Sequence, residues 1–595
     1  MKIIKKLYFL LTPRERKSAG LLLLMILLMA IIDMIGVASI LPFIAILTTP
    51  TLIEANVYLN KFYQISFLFG VRNYQEFLFF SGLLVLILLV TSLIFKALTI
   101  YAQVRFSEMR HYSISKRLVE SYLQQPYSWF LNQNSSEIGK TVLSEVNNVV
   151  SNGLGQLLEV IAKGSVATAI IILLIVVNPM LAFVVGFVIS FAYGLIFFLL
   201  ANYLKRLGEE RLLHNELRYK TISEAFNATK EVKIGGLEKS FTKLFSRSAL
   251  IYAKTSTSAD VIKQLPRFFL EAIVFGGILL IILYIMSKTG NFNTALPIVS
   301  LYVFAGYRLM PALQQIYASL TILKFLEPSM NKLYEDMKGL DPLVENQKQG
   351  ILPLKKSIVL KNINYNYPHS SRTALKNLNM IIPANSTVGF IGTTGSGKTT
   401  TVDIILGLLE PQKGTLQIDG EIITKQNVRA WQRSIGYVPQ YIHLSDDTVE
   451  ANIAFGVESK DINFEAIEKA SKIANLHEFV VDELPLKYKT IIGEDGVRLS
   501  GGQRQRIGIA RALYHSPQVL ILDEATSSLD NETEKAVMSA VNNLSNDITI
   551  VLIAHRLNTV KNCDIIFKLD KGQIVEQGKF SEIIDIRAQQ KGVFN

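Results

Sequence analysis

Long apolar runs constrain this chain more than any other feature. They fall near residues 18–48, 76–100, 155–178, 180–204, 266–287 and 294–325, and none follows Phe325. A helix needs about 20 mostly apolar residues to cross a bilayer. Backbone polar groups in lipid must be satisfied within the span itself. The runs therefore predict an all-α membrane domain of six transmembrane helices over residues 1–325. Only Asn178-Pro179, a turn signal, separates the third run from the fourth. Two long hydrophilic gaps, 100–155 and 204–265, hold helix-forming residues, so the spans are expected to continue as helices beyond the bilayer. Residues 326–355 read as a linker, broken by Gly339, Pro342, Gly350 and Pro353. From 356 to 595 strand and helix patterns alternate, which predicts an α/β domain.

The formal net charge is +12. Nucleic-acid binding and cationic cytoplasmic loops both produce such an excess, and its placement separates them. Lys2, Lys5, Lys6, Arg14, Arg16 and Lys17 precede the first run, and a second basic group spans Lys205 to Lys263. The loops expected outside carry only Lys61, Arg72 and Lys288. This is the positive-inside pattern of a multi-pass protein of the bacterial inner membrane with both termini cytoplasmic. It argues against a nucleic-acid partner. The first run lacks a small-residue cleavage site and reads as a retained span. Cys563 is the one cysteine, so no intrachain disulfide forms. In the first external loop, Asn56–Tyr63 reads as a short amphipathic helix at the outer surface.

The α/β domain carries the chemistry. Gly392-Thr393-Thr394-Gly395-Ser396-Gly397-Lys398-Thr399 matches the phosphate-loop pattern, after the apolar strand Val388–Ile391 and before the helix-like run from Thr400. Gly392, Gly395 and Gly397 let the backbone wrap phosphates, so that its amides, with Ser396, point inward. The helix N-terminus at Thr400 adds positive potential. Lys398 is placed for the β- and γ-phosphates and Thr399 for Mg²⁺. The apolar strand Val519–Leu522 ends in Asp523 and Glu524, the first suited to the Mg²⁺ shell and the second to the attacking water. Between these motifs, Leu499-Ser500-Gly501-Gly502-Gln503 opens a helix and forms an anion site.

That last motif, with the order of the others, resembles the ATP-binding cassette (ABC) family, and the resemblance covers the whole α/β domain. It implies a P-loop ATPase that hydrolyses ATP with Mg²⁺. Further roles follow from it alone: Tyr367 stacks on adenine, Gln440 senses Mg²⁺ and the γ-phosphate, Asp530 makes a dimer contact, and His555 meets the γ-phosphate. Ser500, Gly502 and Gln503 face the phosphate loop of a second ATPase domain. One chain carries one set of motifs, so the resemblance implies a homodimer with two sandwiched ATP molecules. The segments Gln125–Ser135 and Ser223–Gly235 are the candidate coupling helices, and Thr490–Gly496 the loop that meets the membrane domain.

Charged residues inside spans are costly and mark function. Lys96, Arg267 and Arg308 lie in or near the second, fifth and sixth runs, toward their cytoplasmic halves. They predict a cationic belt in a substrate cavity, although Lys96 and Arg267 can also snorkel and Arg267 can pair with Glu271 one turn on. Asp33 in the first run is read as a helix-packing partner. Leu265-Pro266-Arg267, Tyr307-Arg308-Leu309-Met310-Pro311 and Leu41-Pro42-Phe43 resemble bacterial lipid-linked oligosaccharide flippases of protein glycosylation. This second resemblance implies ATP-driven flipping of a polyprenyl-pyrophosphate-linked oligosaccharide, with membrane lipid as a further partner. The alternative is an exporter of another lipid, of the lipopolysaccharide-core type, or of a drug or peptide.

Overall fold

The computed structural model describes residues 2–48, 52–177, 179–289, 292–340, 350–368, 370, 372–524, 531–543, 547–554 and 557–583. The chain divides into two compact units. One comprises Met1–Gln125 and Gln133–Asp341, the other Pro126–Asn132 and Pro342–Asn595.

The first unit is helical. Pro13–Leu47, Tyr74–Leu123 and Ser135–Val176 are each long and apolar enough to cross a membrane. The remaining apolar runs fall on the helices Pro179–Asn227, Glu238–Thr289 and Phe292–Phe325. Helices in this unit outlast their apolar runs: Tyr74–Leu123 continues well past residue 100, and Pro179–Asn227 past 204. Packing follows helical spacing. Leu22, Ile26, Met29 and Ala30 meet Leu158, Ala162, Val166 and Ile170, with Leu309 and Ala312 closing the cluster. Asp33, buried, accepts a hydrogen bond from Ser92 at 2.8 Å, which gives the packing role expected of it a named partner.

The first run is not one unbroken helix. Its helix Pro13–Ala38 stops, and a second helix runs Ile40–Thr48. Pro42 explains the break, because it has no N–H to offer residue 38 and its ring crowds that carbonyl. Ser39 caps the gap, its N–H bonding Ile35 O at 3.0 Å and its hydroxyl Gly36 O at 2.9 Å. The external segment is helical over Val57–Ser66, capped by the Asn56 side chain, which accepts from the N–H groups of Tyr58 and Leu59. Within the same unit, Gly208 touches the chain at Phe325 so closely that a Cβ there would lie 2.0 Å from Phe325 O.

Beyond the apolar runs, buried charge is added to apolar packing by residues such as Ile114, Leu118, Val149 and Met330. Arg211 bonds Glu145 at 2.9 Å and Ser329 at 2.7 Å, and Asn215 donates to the same glutamate at 2.9 Å. Lys140, fully buried, pairs with Glu216 at 2.9 Å, and Lys332 reaches Glu216 at 3.1 Å and Glu137. Burial alone works against ionisation of Glu216 and Lys332, yet their pairing keeps Glu216 below its ordinary pKa and Lys332 above.

The second unit holds two sheets. The antiparallel one has the order β2 (Thr373–Pro383), β1 (Ser357–Asn366), β4 (Lys413–Ile418), β5 (Glu421–Ile422). The other runs β10 (Gln573–Gly578), β9 (Ile565–Asp570), β3 (Thr387–Ile391), β8 (Thr549–Ile553), β7 (Val519–Asp523), β6 (Ile435–Val438). Apart from β10 this sheet is parallel. Every residue of β3, β7 and β8 is buried, as in parallel sheets covered on both faces. Trp431 is wholly buried and donates its Nε1–H to Ile405 O at 2.7 Å, fixing the end of the helix Lys398–Ile405.

Arg211 and Glu145 are each 3% exposed. Arg211→Ala is therefore expected to cost about 3–5 kcal/mol by stranding the carboxylate. It should lower the midpoint of thermal unfolding, and Arg211→Ala/Glu145→Ala should recover part of the loss. A single variant as stable as wild type would show that the pair contributes nothing.

Candidate active site

Ligands of open α/β sheets bind outside the carboxyl ends of the strands. Here β8 is in register with both neighbours, Phe390 and Asp523 each standing beside Ile553. The loop after β3 and the acids closing β7 therefore leave the sheet at one edge. They surround a cavity of about 580 Å³ lined by Tyr367, Arg372, Gly395, Lys398, Gln440 and Glu524 among others.

The loop after β3 is shaped by its glycines. Gly392 has φ 152°, and a Cβ there would lie 2.3 Å from Leu569 O, so no other residue fits. Gly397 caps the helix Lys398–Ile405 in a left-handed conformation. Lys398 Nζ donates to Gly392 O at 2.8 Å and Thr393 O at 3.2 Å. Burial lowers its pKa, against the opposing pull of Glu524 and Asp523. Thr399 lines the cavity. Ser396 Oγ is buried and without a hydrogen-bond partner among the described residues. Thr400 Oγ1 lies 3.1 Å from the hydroxyl of Tyr367, which stands edge-on to Tyr365 at 5.2 Å.

Glu524 has a left-handed φ of 51°, rare for a residue with a side chain. Such strain persists at sites where the surroundings enforce it; here the Glu524 N–H is held by Ile553 O at 3.2 Å. The turn brings Glu524 Oε2 2.8 Å from Gln440 Nε2, so two residues 84 apart in sequence meet. Asp523 is buried, and the Tyr437 hydroxyl hydrogen-bonds to it.

Sequence reasoning missed Asp403. It is 8% exposed on the helix that follows the phosphate loop, and burial together with Asp523 pushes its carboxyl up to about 6. Its signal was an acid set among Val402, Ile404 and Ile405 on the helix that opens from the phosphate loop. It also faces Tyr127, on the short helix Tyr127–Phe130 inside the first candidate coupling segment; that segment's Pro126–Asn132 belongs to the α/β unit. The second candidate segment forms the helix Thr229–Ile234 within the helical unit.

The other predicted residues are placed elsewhere. Ser500 caps the helix Gly501–Leu513, with reciprocal bonds to Gln503 at 2.8 and 3.2 Å. Neither Ser500, Gly502 nor Gln503 lines the cavity. Asp530, His555 and the side chain of Arg308 lie outside the described residues. Arg267 Nε bonds Glu271 at 2.7 Å, the i, i+4 pairing foreseen for it. Lys96 has an unforeseen neighbour in Lys163, which sits 3.9 Å from Glu159 and within electrostatic range of Lys96.

Known proteins match both halves of the chain. Residues 22–309 match the ABC transporter transmembrane region, and residues 375–527 match the ABC transporter family. An ATP-dependent lipid A-core flippase of Ralstonia nicotianae is 30% identical over 487 residues, covering 80% of each chain. The flippase of that name from Cupriavidus metallidurans is 32% identical over 480 residues, covering 79% of this chain and 78% of its own. A solved bacterial Atm1-family ABC exporter with ATP bound shares the fold, with a TM-score of 0.79 over 96% of both chains at 21% identity. With a helical transmembrane domain joined to an α/β ATPase, and with such identity along most of its length, the chain belongs to the ABC transporters, as a half-transporter of the exporter type that couples ATP hydrolysis to transport.

Proposed function

We propose that the chain works as a homodimer in the bacterial inner membrane, termini cytoplasmic, and uses ATP to carry a phosphate-bearing glycolipid of the lipid A-core class to the outer leaflet. The observation that carries the substrate is the 30–32% identity to lipid A-core flippases along both domains. Cations in the membrane helices support it, because a phosphate in a low-dielectric cavity needs charged donors. Lys96 and Arg308 are the main candidates, because Lys163 is paired with Glu159 and Arg267 with Glu271.

In this reading Lys398 Nζ exchanges the carbonyls of Gly392 and Thr393 for β- and γ-phosphate oxygens. Gly392, Gly395, Gly397 and Thr400 complete the cradle, and Ser396 Oγ, without a partner among the described residues, is a donor that fits it. Tyr367 stacks on adenine. Thr399, Gln440 and Asp523 supply hydroxyl, amide and carboxylate oxygens, the hard donors that suit Mg²⁺. Bound Mg²⁺ offsets the charge on the transferring phosphate. Glu524, held by Gln440, takes the proton of the attacking water, and His555 meets the γ-phosphate. Ser500, Gly502 and Gln503, which lie off this cavity, close the partner's site across the dimer, with Asp530 at the contact.

A second substrate, the polyprenyl-pyrophosphate oligosaccharide, is favoured by the external helix Val57–Ser66. Its Val57 and Tyr58 are 68% and 84% exposed, an apolar surface that a long lipid tail can follow.

Two experiments test these readings. Glu524→Gln should keep nucleotide binding while phosphate release falls by about 10²-fold or more; normal release would reject Glu524 as the base. In proteoliposomes, labelled lipid A-core should change leaflets with ATP, several-fold more slowly in Lys96→Ala and Arg308→Ala. Movement of the polyprenyl-pyrophosphate lipid alone selects the second substrate. Hydrolysis with movement of neither removes both.

A further inference from the structure

The motif residues leave one cation at the cavity unexplained. Arg372 lies on the segment between Tyr367 and β2, outside every pattern that marks the site. Its backbone is tied to Ser370: the Arg372 N–H donates to Ser370 Oγ at 3.2 Å, and that hydroxyl donates to Arg372 O at 3.3 Å. The side chain lines the cavity together with Tyr367 and the phosphate loop. Its Nη2 donates to Gly395 O at 3.3 Å, and a Cβ on Gly395 would lie 3.8 Å from Nη1 and 4.0 Å from Nη2. The guanidinium therefore rests over the loop at the cavity's rim.

Three features argue against a purely structural tie. A guanidinium has five donors, and one is engaged, by a neutral carbonyl. Arg372 has no carboxylate partner among the described residues. The cavity's other lining cation, Lys398, shares it with Glu524, so a triphosphate brings more negative charge than Lys398 and one divalent ion neutralise. Planar donor forks match phosphate oxygens in pairs, and this one sits beside a surface that already presents amides to them.

We propose that Arg372 is a further nucleotide-binding residue, whose guanidinium takes an oxygen of the phosphate chain at the rim between Tyr367 and Gly395. This rests on the cavity being the ATP site. Arg372 then acts as a clamp on the solvent side, opposite Lys398 at the floor. It favours nucleotides with a phosphate chain over adenosine.

The test is equilibrium binding of ADP and of a non-hydrolysable ATP analogue to the full chain in lipid nanodiscs. Arg372→Ala, Arg372→Gln, Arg372→Lys and Lys398→Ala are compared with wild type. Arg372→Ala and Arg372→Gln should weaken both ligands by roughly 3- to 15-fold, the effect of one charge-assisted hydrogen bond at an exposed rim. Arg372→Lys, which keeps the charge but not the fork, should retain more affinity than Gln. Gln can still donate to Gly395 O, so wild-type affinity in Arg372→Gln would make the residue a structural tie and overturn the proposal. So would affinities within twofold of wild type in Arg372→Ala. If Lys398→Ala loses affinity in the same series, such a failure belongs to Arg372 alone. If Lys398→Ala binds normally, the ATP-site reading falls and the proposal with it.

Discussion

The hydrogen bonds that β8 makes on both of its edges organise the catalytic half of this protein. Ile553 stands level with Phe390 on one side and Asp523 on the other. A parallel sheet gives every strand the same exit edge, so three segments far apart in sequence converge without loop-borne precision. A slip of one residue would turn the buried faces of β7 and β8 around. The five consecutive buried residues of each strand leave no room for an intermediate register. Gln440 and the strained turn at Glu524 then complete a geometry that the sheet has already set.

The helical half obeys a different rule along its length. Within the apolar runs, packing of Leu, Ile and Ala at helical spacing suffices, with Asp33 and Ser92 as a buried polar contact. Past the runs, the same continuous helices are joined by Arg211, Glu145, Lys140 and Glu216. A buried ion pair is worth little net energy against an apolar replacement, but losing one partner is costly. These pairs therefore act more through fixing which helix faces meet than through stability.

Much of this was legible in the sequence, for physical reasons that differ by residue. A bilayer imposes length and composition, so the apolar runs stood out. A phosphate loop imposes glycines and a lysine at fixed spacing, so Gly392–Thr399 stood out. Pairings across sequence did not. Glu145 and Arg211 lie 66 residues apart and Gln440 and Glu524 lie 84 apart, and no local pattern records such meetings. Asp403 and Lys163 belong to no motif, and their neighbours Asp523 and Lys96 lie far off in sequence. Pro42 lies inside an apolar run whose length and composition say nothing of a break in the helix. No fixed spacing of residues marks the substrate class. Its motifs were short, and one of their arginines has its charge offset locally by Glu271. Similarity along both domains shifted the reading from the oligosaccharide lipid to the lipid A-core class.

The contact at Gly208 has a mechanical meaning. With Phe325 O at 2.0 Å from the position a side chain would need, two main chains touch with nothing compressible between them. Methylene-rich contacts can slide by changing rotamers; backbone against backbone has no such slack. A shift of the helix Pro179–Asn227 toward this contact therefore meets the main chain at the end of Phe292–Phe325 directly.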